Sequence, residues 1–109
     1  MFKLGPISSD GGDDYVWLFV DLSNLLGSAT LVSLHGVVGS SVIAISGAAI
    51  LTTDTTDGSI TISAYQGVKF KCQPNTDIHG WYPITIEYTD SSDNRQTAKG
   101  YVLIQKAIT

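Results

Sequence analysis

The stretch from Gly80 to Gln105 reads GWYPITIEYTDSSDNRQTAKGYVLIQ and contains two alternating segments on either side of a polar turn. The segments are Trp81–Thr89 and Gln96–Gln105, and the turn is Asp90–Asn94. Successive side chains of a strand point to opposite faces of a sheet, so alternation of apolar and polar residues indicates half-buried strands. The stretch therefore predicts a β-hairpin, and an all-β domain around it.

The first strand of this hairpin has two distinct faces. One face, predicted to point inward, carries Tyr82, Ile84, Ile86 and Tyr88, and Trp81 begins the opposite face. Pro83 cannot donate a ladder hydrogen bond, so this strand is expected to begin on a sheet edge or at a bulge. On the return strand, Val102 and Ile104 alternate with Tyr101 and Leu103.

Six further segments carry short apolar or alternating runs bounded by turn residues. We predict strands over Tyr15–Leu22, Ala29–Leu34, Ser41–Ser46, Ile50–Thr53, Ser59–Ala64 and Gly67–Gln73. In the last of these, Val68, Phe70 and Cys72 are predicted to point inward and Lys69 and Lys71 outward. Trp17 lies in an apolar run and is predicted to belong to the core. Breaks are predicted at Gly36–Gly39, at a weak bend from Gly47, and in the loop Asp54–Gly58.

Seven or eight short strands with turn signals every 8–12 residues predict an all-β fold, an immunoglobulin-like antiparallel β-sandwich. With 109 residues the chain is expected to form a single domain over residues 15–109. Residues 1–14 are rich in Gly, Ser and Asp and are predicted to form an extended N-terminal arm. The single Cys72 cannot form an intrachain disulfide, so packing has to stabilise the sandwich.

The composition of the chain argues against nucleic-acid binding and against a membrane-spanning helix. The formal net charge is −4 and the six basic residues are mostly scattered, whereas nucleic-acid binding needs clustered positive charge. The segment from Leu22 to Thr53 contains no Asp, Glu, Lys or Arg, and Leu31 to Leu51 is long enough to cross a bilayer. Glycines and serines divide it into short β-type runs, so we predict strands covered by the core on one side and by a partner on the other.

Reactive residues form no recognisable catalytic set. Cys72, Asp77 and His79 are close enough in sequence for a nucleophilic triad, but a cysteine on an inward strand face usually acts as a small hydrophobe. His35 has no second metal ligand at a suitable spacing. We therefore predict a protein without catalytic residues, cofactor or resident metal. Whether the loop from Asp54 to Asp57 binds calcium stays open at this point.

Two stretches carry a resemblance to a known family. The first runs from Asp13-Asp14-Tyr15 through an apolar strand to Asp21-Leu-Ser-Asn-Leu-Leu-Gly27-Ser-Ala-Thr30, and the second is the C-terminal hairpin with its TDSSDNRQ turn. Together they resemble small phage virion proteins of the fibre–tail adaptor type, which begin with a short acidic arm. The hairpin is also similar to immunoglobulin-like repeats of bacteria and phages. Leu22 stands where that family often has Trp, and the hairpin lacks its Arg–Asp–Glu–Arg charge pattern.

The resemblance implies a non-enzymatic structural protein of a bacteriophage virion, assembled in the host cytoplasm. It would act as a tail- or fibre-associated adaptor through contacts with other virion proteins, and a homo-oligomer is expected. No nucleic-acid or membrane partner is expected. The alternatives are a capsid decoration protein and a carbohydrate- or receptor-binding module. The candidate contact residues are Asp10, Asp13, Asp14, Leu34, Val37, Val38, Trp81 and Tyr82.

Overall fold

A computed structural model describes residues 1–8, 15–74 and 78–105 of the chain. Over these ranges the chain forms nine strands and one helical turn. The elements are β1 (Phe2–Ser8), β2 (Val16–Asp21), α1 (Ser23–Leu26), β3 (Leu31–Gly39), β4 (Ile43–Ile50), β5 (Thr55–Asp57), β6 (Ile60–Ile62), β7 (Gly67–Pro74), β8 (Gly80–Asp90) and β9 (Arg95–Gln105).

The strands form two packed sheets and a small accessory hairpin. The four-stranded sheet has the order β1-β9-β8-β3, the three-stranded sheet has the order β2-β7-β4, and β5 pairs with β6. Without the β5–β6 hairpin, the second, fourth and fifth strands share one sheet and the third, sixth and seventh share the other. Six of the seven strands thus follow the immunoglobulin arrangement, whereas the first strand lies beside the last instead of in the sheet of the second. The predicted β-sandwich is confirmed, although β1 pairs with β9 in parallel rather than antiparallel.

The core lies between the inner faces of the two sheets. The inward faces predicted for β7 and β8 are confirmed, because their alternate residues are almost fully buried apart from the half-buried Tyr82. The same alternation of burial runs along β9. Residues with 0% exposure include Val68, Phe70, Cys72, Ile84, Ile86 and Val102. Packing of these faces removes apolar surface from water, which is the main term that stabilises a fold with one free cysteine.

The C-terminal hairpin forms as predicted. Strands β8 and β9 pair without interruption from Gly80↔Ile104 to Thr89↔Arg95. In the turn, the Asp90 Oδ1 atom accepts hydrogen bonds from the backbone N–H groups of Ser92 and Asn94, both at 3.0 Å. Pairing with β3 starts only at Ile84, so Pro83 needs no donor on that side and the predicted edge position is confirmed locally.

The N-terminal segment differs from the predicted arm. Phe2–Ser8 is a strand of the domain itself, and Phe2 packs against Gly100 on β9 while Ile7 is buried in the core. The register shift between Leu4 and Ile7, around Gly5 and Pro6, breaks the alternation, which is why the sequence gives no clear strand signal there. Residues 9–14 of the predicted arm lie outside the described residues.

The central part of the chain has longer strands than predicted, and one predicted strand is wrong. The strand β3 continues through the predicted break to Gly39, and β4 runs through the predicted bend with a register shift between Ser46 and Ala49. The strand predicted over Ile50–Thr53 does not form as a separate strand. Ile50 is the last residue of β4, the Leu51 N–H still donates to the Gly67 carbonyl oxygen at 2.9 Å, and the chain then leaves the sheet. Part of the predicted loop instead forms β5.

The uncharged segment from Leu31 to Leu51 is occupied by β3, β4 and their connection. Within the ranges described, the chain has no helix that is long and apolar enough to cross a membrane. The strand interpretation of this segment is therefore confirmed.

Candidate interaction surfaces on the two sheets

The outer face of the four-stranded sheet exposes two of the predicted contact residues. Trp81 on β8 is 52% exposed and Val38 on β3 is 61% exposed. Val38 pairs with Thr85, which lies on the same face of β8 as Trp81, so both side chains look outward from one sheet. We call the surface formed by Val38, Trp81 and Tyr101 the Trp81 face.

The other predicted contact residues lie elsewhere. Leu34, Val37 and Tyr82 are half-buried and pack against the core. The Tyr82 hydroxyl also donates a hydrogen bond to the His79 carbonyl oxygen at 3.1 Å, so this ring is fixed within the domain. The predicted contact residues Asp10, Asp13 and Asp14 lie outside the described residues.

A shallow depression lies beside Trp81. It has a volume of about 320 Å³ and is lined by Met1, Lys3, Trp81 and Tyr101. The Lys3 ammonium lies 5.9 Å from the centroid of the Trp81 ring, within the range of a cation–π contact. Strand β1 thus supplies a positive charge at the border of an aromatic surface. This contact was not predicted from the sequence, because residues 1–14 were expected to form an extended arm.

The outer face of the three-stranded sheet carries a second aromatic surface, and here the prediction for Trp17 was wrong. Trp17 is 38% exposed rather than buried in the core. The Lys69 and Lys71 ammonium groups lie 5.1 and 5.3 Å from its ring centroid. Lys71 also lies 4.6 Å from the Tyr15 ring centroid. The inward positions of β2 are Leu18 and Val20 instead, and the outward direction predicted for both lysines is confirmed.

Among the described residues, Cys72, His79 and His35 form no common site. Cys72 is fully buried, and desolvation raises the pKa of its thiol to about 11, so at neutral pH it is protonated and poorly nucleophilic. His79 is exposed and directly precedes β8, and Asp77 lies outside the described residues. His35 Nε2 is hydrogen-bonded to Thr89 Oγ1 at 2.7 Å on the sheet surface.

The acidic loop considered for calcium has a structural use for one carboxylate. The Asp54 Oδ1 atom accepts a hydrogen bond from the Ala64 backbone N–H at 2.9 Å, which closes the base of the β5–β6 hairpin. Asp57 belongs to β5 and pairs with Ile60. Across the described part of the chain, no group of three His, Cys, Asp or Glu side chains is placed to hold a metal ion.

Comparison with known proteins adds no relative to this description. No protein-family model matches the sequence, and neither a curated protein nor a solved structure matches it. The resemblance to phage adaptor proteins therefore stays a prediction. The candidate interaction surfaces in the described part of the chain are the Trp81 face and the aromatic surface around Trp17.

Proposed function

We propose that this chain is a non-enzymatic structural module of a bacteriophage virion that attaches to another virion protein through the Trp81 face. The adaptor role in a tail or fibre follows the sequence resemblance. The observation that carries the contact mechanism is the large exposed fraction of Trp81 and Val38 on one outer sheet face. Tryptophan is enriched among the residues that dominate binding energy at protein interfaces.

The physical basis of attachment is burial of apolar surface inside a polar border. Covering Trp81 and Val38 removes apolar area from water, at about 25 cal/mol per Å². Charged groups border this area, because Lys3 lies beside Trp81 and the Glu87–Arg95 ion pair lies further along the β8–β9 surface. A dry centre with a charged rim is the usual composition of a specific interface.

The half-buried contact residues act as supports in this proposal. Leu34, Val37 and Tyr82 hold the strands that present Val38 and Trp81, because their side chains pack against the core. Repetition around a symmetric particle would then multiply modest contacts into firm attachment.

The position of β1 changes how the proposal has to be tested. Deleting residues 1–14 would remove β1 from β9 and would damage the domain, so loss of attachment could not be assigned to an arm. A single substitution in the Trp81 face avoids this difficulty.

The test is incorporation of Trp81→Ala protein into particles. We expect Trp81→Ala to fold normally but to be strongly depleted from purified particles relative to the unchanged chain. The matched control is Ile60→Ala on β6, which removes an apolar side chain of similar exposure from a different surface. Equal incorporation of all three proteins would refute attachment through this face, and absence of the unchanged chain from particles would refute the virion role.

Two alternative roles would use the same face, and a particular feature favours the second of them. A capsid decoration protein would use the same face, and immunogold labelling on heads rather than tails would identify it. A carbohydrate-binding role is supported by the depression lined by Trp81 and Tyr101, since sugar rings stack on exposed aromatic side chains. Binding on a glycan array that is lost in Trp81→Ala would favour this role over attachment to protein.

A further inference from the structure

Strand β2 is the most regular edge strand of the sandwich. It pairs with β7 through six consecutive residue pairs without a register shift. The pairing of the other sheet edges is interrupted, once in β1, twice in β3 and once in β4. Bulges and prolines blunt an edge against further pairing, whereas a regular apolar edge is a template for another strand. Among the edges of the two packed sheets, β2 alone keeps this template intact, and the uninterrupted β5–β6 hairpin has only three residues in each strand.

The backbone of β2 directs its odd-numbered residues to the open edge. The Leu22 N–H donates to the Gln66 carbonyl oxygen at 2.9 Å, in line with the β2–β7 register. Backbone groups of an antiparallel strand alternate between its two sides, so Leu18 and Val20 bond to β7. The N–H and C=O groups of Trp17 and Phe19 therefore face away from β7, where the described chain has no further strand of this sheet.

This edge is accessible from outside the domain. A groove of about 350 Å³ runs between β1 and β2, and it is lined by residues 3–7, by residues 16–19 and by Asp57. The Trp17 indole does not cover the edge, because its Cη2 atom points across the sheet and lies 3.3 Å from the position of a Cβ on Gly47 of β4. Within the described residues, nothing bonds to the outward backbone groups of Trp17 and Phe19, which are therefore available for a new partner.

We propose that the open edge of β2 pairs with β2 of a second copy of this chain, antiparallel, around a two-fold axis at Leu18. Trp17 of each copy then stands opposite Phe19 of the other. Both residues direct their backbone groups to the edge, so each such pair exchanges two backbone hydrogen bonds. The two three-stranded sheets join into one continuous sheet with the order β4-β7-β2-β2-β7-β4. The contact is isologous and closes at a dimer.

The side chains of β2 are complementary to themselves in this register. On the inner face, Leu18 meets Leu18 and Val16 meets Val20, so apolar side chains meet apolar side chains. On the outer face, Asp21 of the second copy stands opposite Tyr15. The Lys71 ammonium lies over that tyrosine ring at 4.6 Å, so opposite charges are brought together at both ends of the new pair. The Asp21 Oδ1 atom accepts from the Ser23 N–H at 2.9 Å, and its Oδ2 atom is the group that would meet the lysine.

The proposal is tested first by residue-resolved amide exchange over a range of protein concentration. We expect the N–H groups of Trp17 and Phe19 to gain protection as the concentration rises from micromolar to millimolar. The N–H groups of Leu18 and Val20 already bond to β7 and should change little. Sedimentation over the same range should show a monomer–dimer equilibrium. A chain that stays monomeric at millimolar concentration, or protection that rises equally at all four positions, overturns the proposal.

A pair of substitutions at one position isolates the backbone contribution. Trp17→Ala and Trp17→Pro both remove the indole, but only proline removes the N–H that faces the open edge. We expect Trp17→Pro to weaken the dimer at least roughly tenfold more than Trp17→Ala, because both copies lose a hydrogen bond. Circular dichroism and thermal unfolding check that both variants fold, and if Trp17→Pro does not fold, the amide-exchange result decides alone. Equal dimerisation of the two folded variants refutes the pairing.

Trp81→Ala separates this inference from the proposed function. Trp81 lies on the other sheet, so its replacement should leave the dimer unchanged while attachment to particles is lost. Loss of the dimer in Trp81→Ala, with Trp17→Pro unaffected, would move the self-association surface to the Trp81 face and overturn the β2 assignment.

Discussion

The strands between Gly67 and Gln105 and the strands between Leu31 and Ile50 differ in regularity. In β7, β8 and β9 burial alternates residue by residue over long stretches, and β8 and β9 pair without a register shift. In β3 and β4 burial does not alternate cleanly, and both strands contain register shifts against their neighbours. The C-terminal strands thus present regular buried faces to the core, whereas β3 and β4 pack against it with irregular pairing.

The difference follows from the position of each strand in its sheet. Strands β7, β8 and β9 each have a neighbour on both sides, whereas β3 and β4 are edges. A one-residue slip in a strand with two neighbours would turn its apolar side chains out of the core and disturb two ladders. The same slip at an edge disturbs one ladder and also protects the edge from unwanted pairing. Low charge in the segment from Leu22 to Thr53 therefore does not mean burial, and Val32 and Val38 are both more than 60% exposed.

The largest expected difference between the two regions is the change in the free energy of unfolding when an apolar side chain is truncated to alanine. Ile86→Ala on β8 removes a fully buried side chain and should lower the free energy of unfolding by about 2–5 kcal/mol. Val38→Ala on β3 removes a largely exposed side chain and should change it by less than about 0.5 kcal/mol. Urea denaturation of both variants measures the contrast. Similar losses in the two variants would mean that the edge strands contribute to stability as much as the central strands do.

The second expected difference concerns glycines. A Cβ at Gly100 on β9 would overlap the Phe2 carbonyl oxygen and ring, so Gly100→Ala should displace β1 and cost about 1–3 kcal/mol. A Cβ at Gly36 on β3 would meet nothing within 4 Å, so Gly36→Ala should be neutral or slightly stabilising. Thermal unfolding gives the stabilities, and amide exchange in residues 2–8 reports whether β1 has detached. A stable Gly100→Ala protein with protected β1 amides would contradict the close packing of β1 on β9.

The regular region is also the part that could be predicted from sequence. Alternation in Gly67–Gln73 and in the C-terminal hairpin specifies which side chains face the core, because one face of each strand is buried and the other is not. The outward direction of Trp81, Lys69 and Lys71 follows from the same alternation and is confirmed. Local patterning is sufficient wherever a strand has two chemically different faces.

The remaining features depend on which strands become neighbours, and a single sequence does not encode that locally. Trp17 was wrongly placed in the core because YVWLFVDL is apolar on both faces, and only the pairing with β7 brings lysines over its ring. Strand β1 was not predicted, because Gly5 and Pro6 interrupt its pattern. It packs closely on β9, where Gly100 leaves room for Phe2, and these two residues are nearly a hundred positions apart in sequence. The sequence predicts a separate strand over Ile50–Thr53, whereas β4 continues to Ile50 and the next strand starts at Thr55.

Alkaline pH should lower the free energy of unfolding, because it favours ionisation of the buried Cys72 thiol on β7. Burial raises the pKa of this thiol from 9.0 in an unfolded chain to about 11, so its contribution to stability is complete below pH 9.0 and declines as the pH rises towards 11. At pH 10 the expected loss is about 1 kcal/mol. The pKa of Tyr88 is also raised, by burial and then by the nearby Asp90 charge, so it adds a loss of the same sign.

Cys72→Val separates the thiol from the tyrosine in this experiment. The free energy of unfolding is measured by urea denaturation at roughly pH 8 and pH 10 for both proteins, and the two differences are compared. The variant should lose about 1 kcal/mol less than the unchanged chain over this interval, since valine does not titrate. An identical pH dependence in both proteins would mean that Cys72 is less buried than β7 implies.

The smallest expected effect concerns the outer surface of the C-terminal hairpin formed by β8 and β9. Arg95 and Glu87 form an ion pair of 2.9 Å between β9 and β8, but both side chains are well exposed, at 66% and 46%. Water and salt screen such a pair, so a double-mutant cycle with Arg95→Ala and Glu87→Ala should give a coupling below about 0.5 kcal/mol, which added salt reduces further. A coupling as large as the effect of Ile86→Ala would mean that contacts on the outer face stabilise this hairpin as much as core packing does. The expected small coupling means that the hairpin is stabilised by its inner face, where every second side chain is buried.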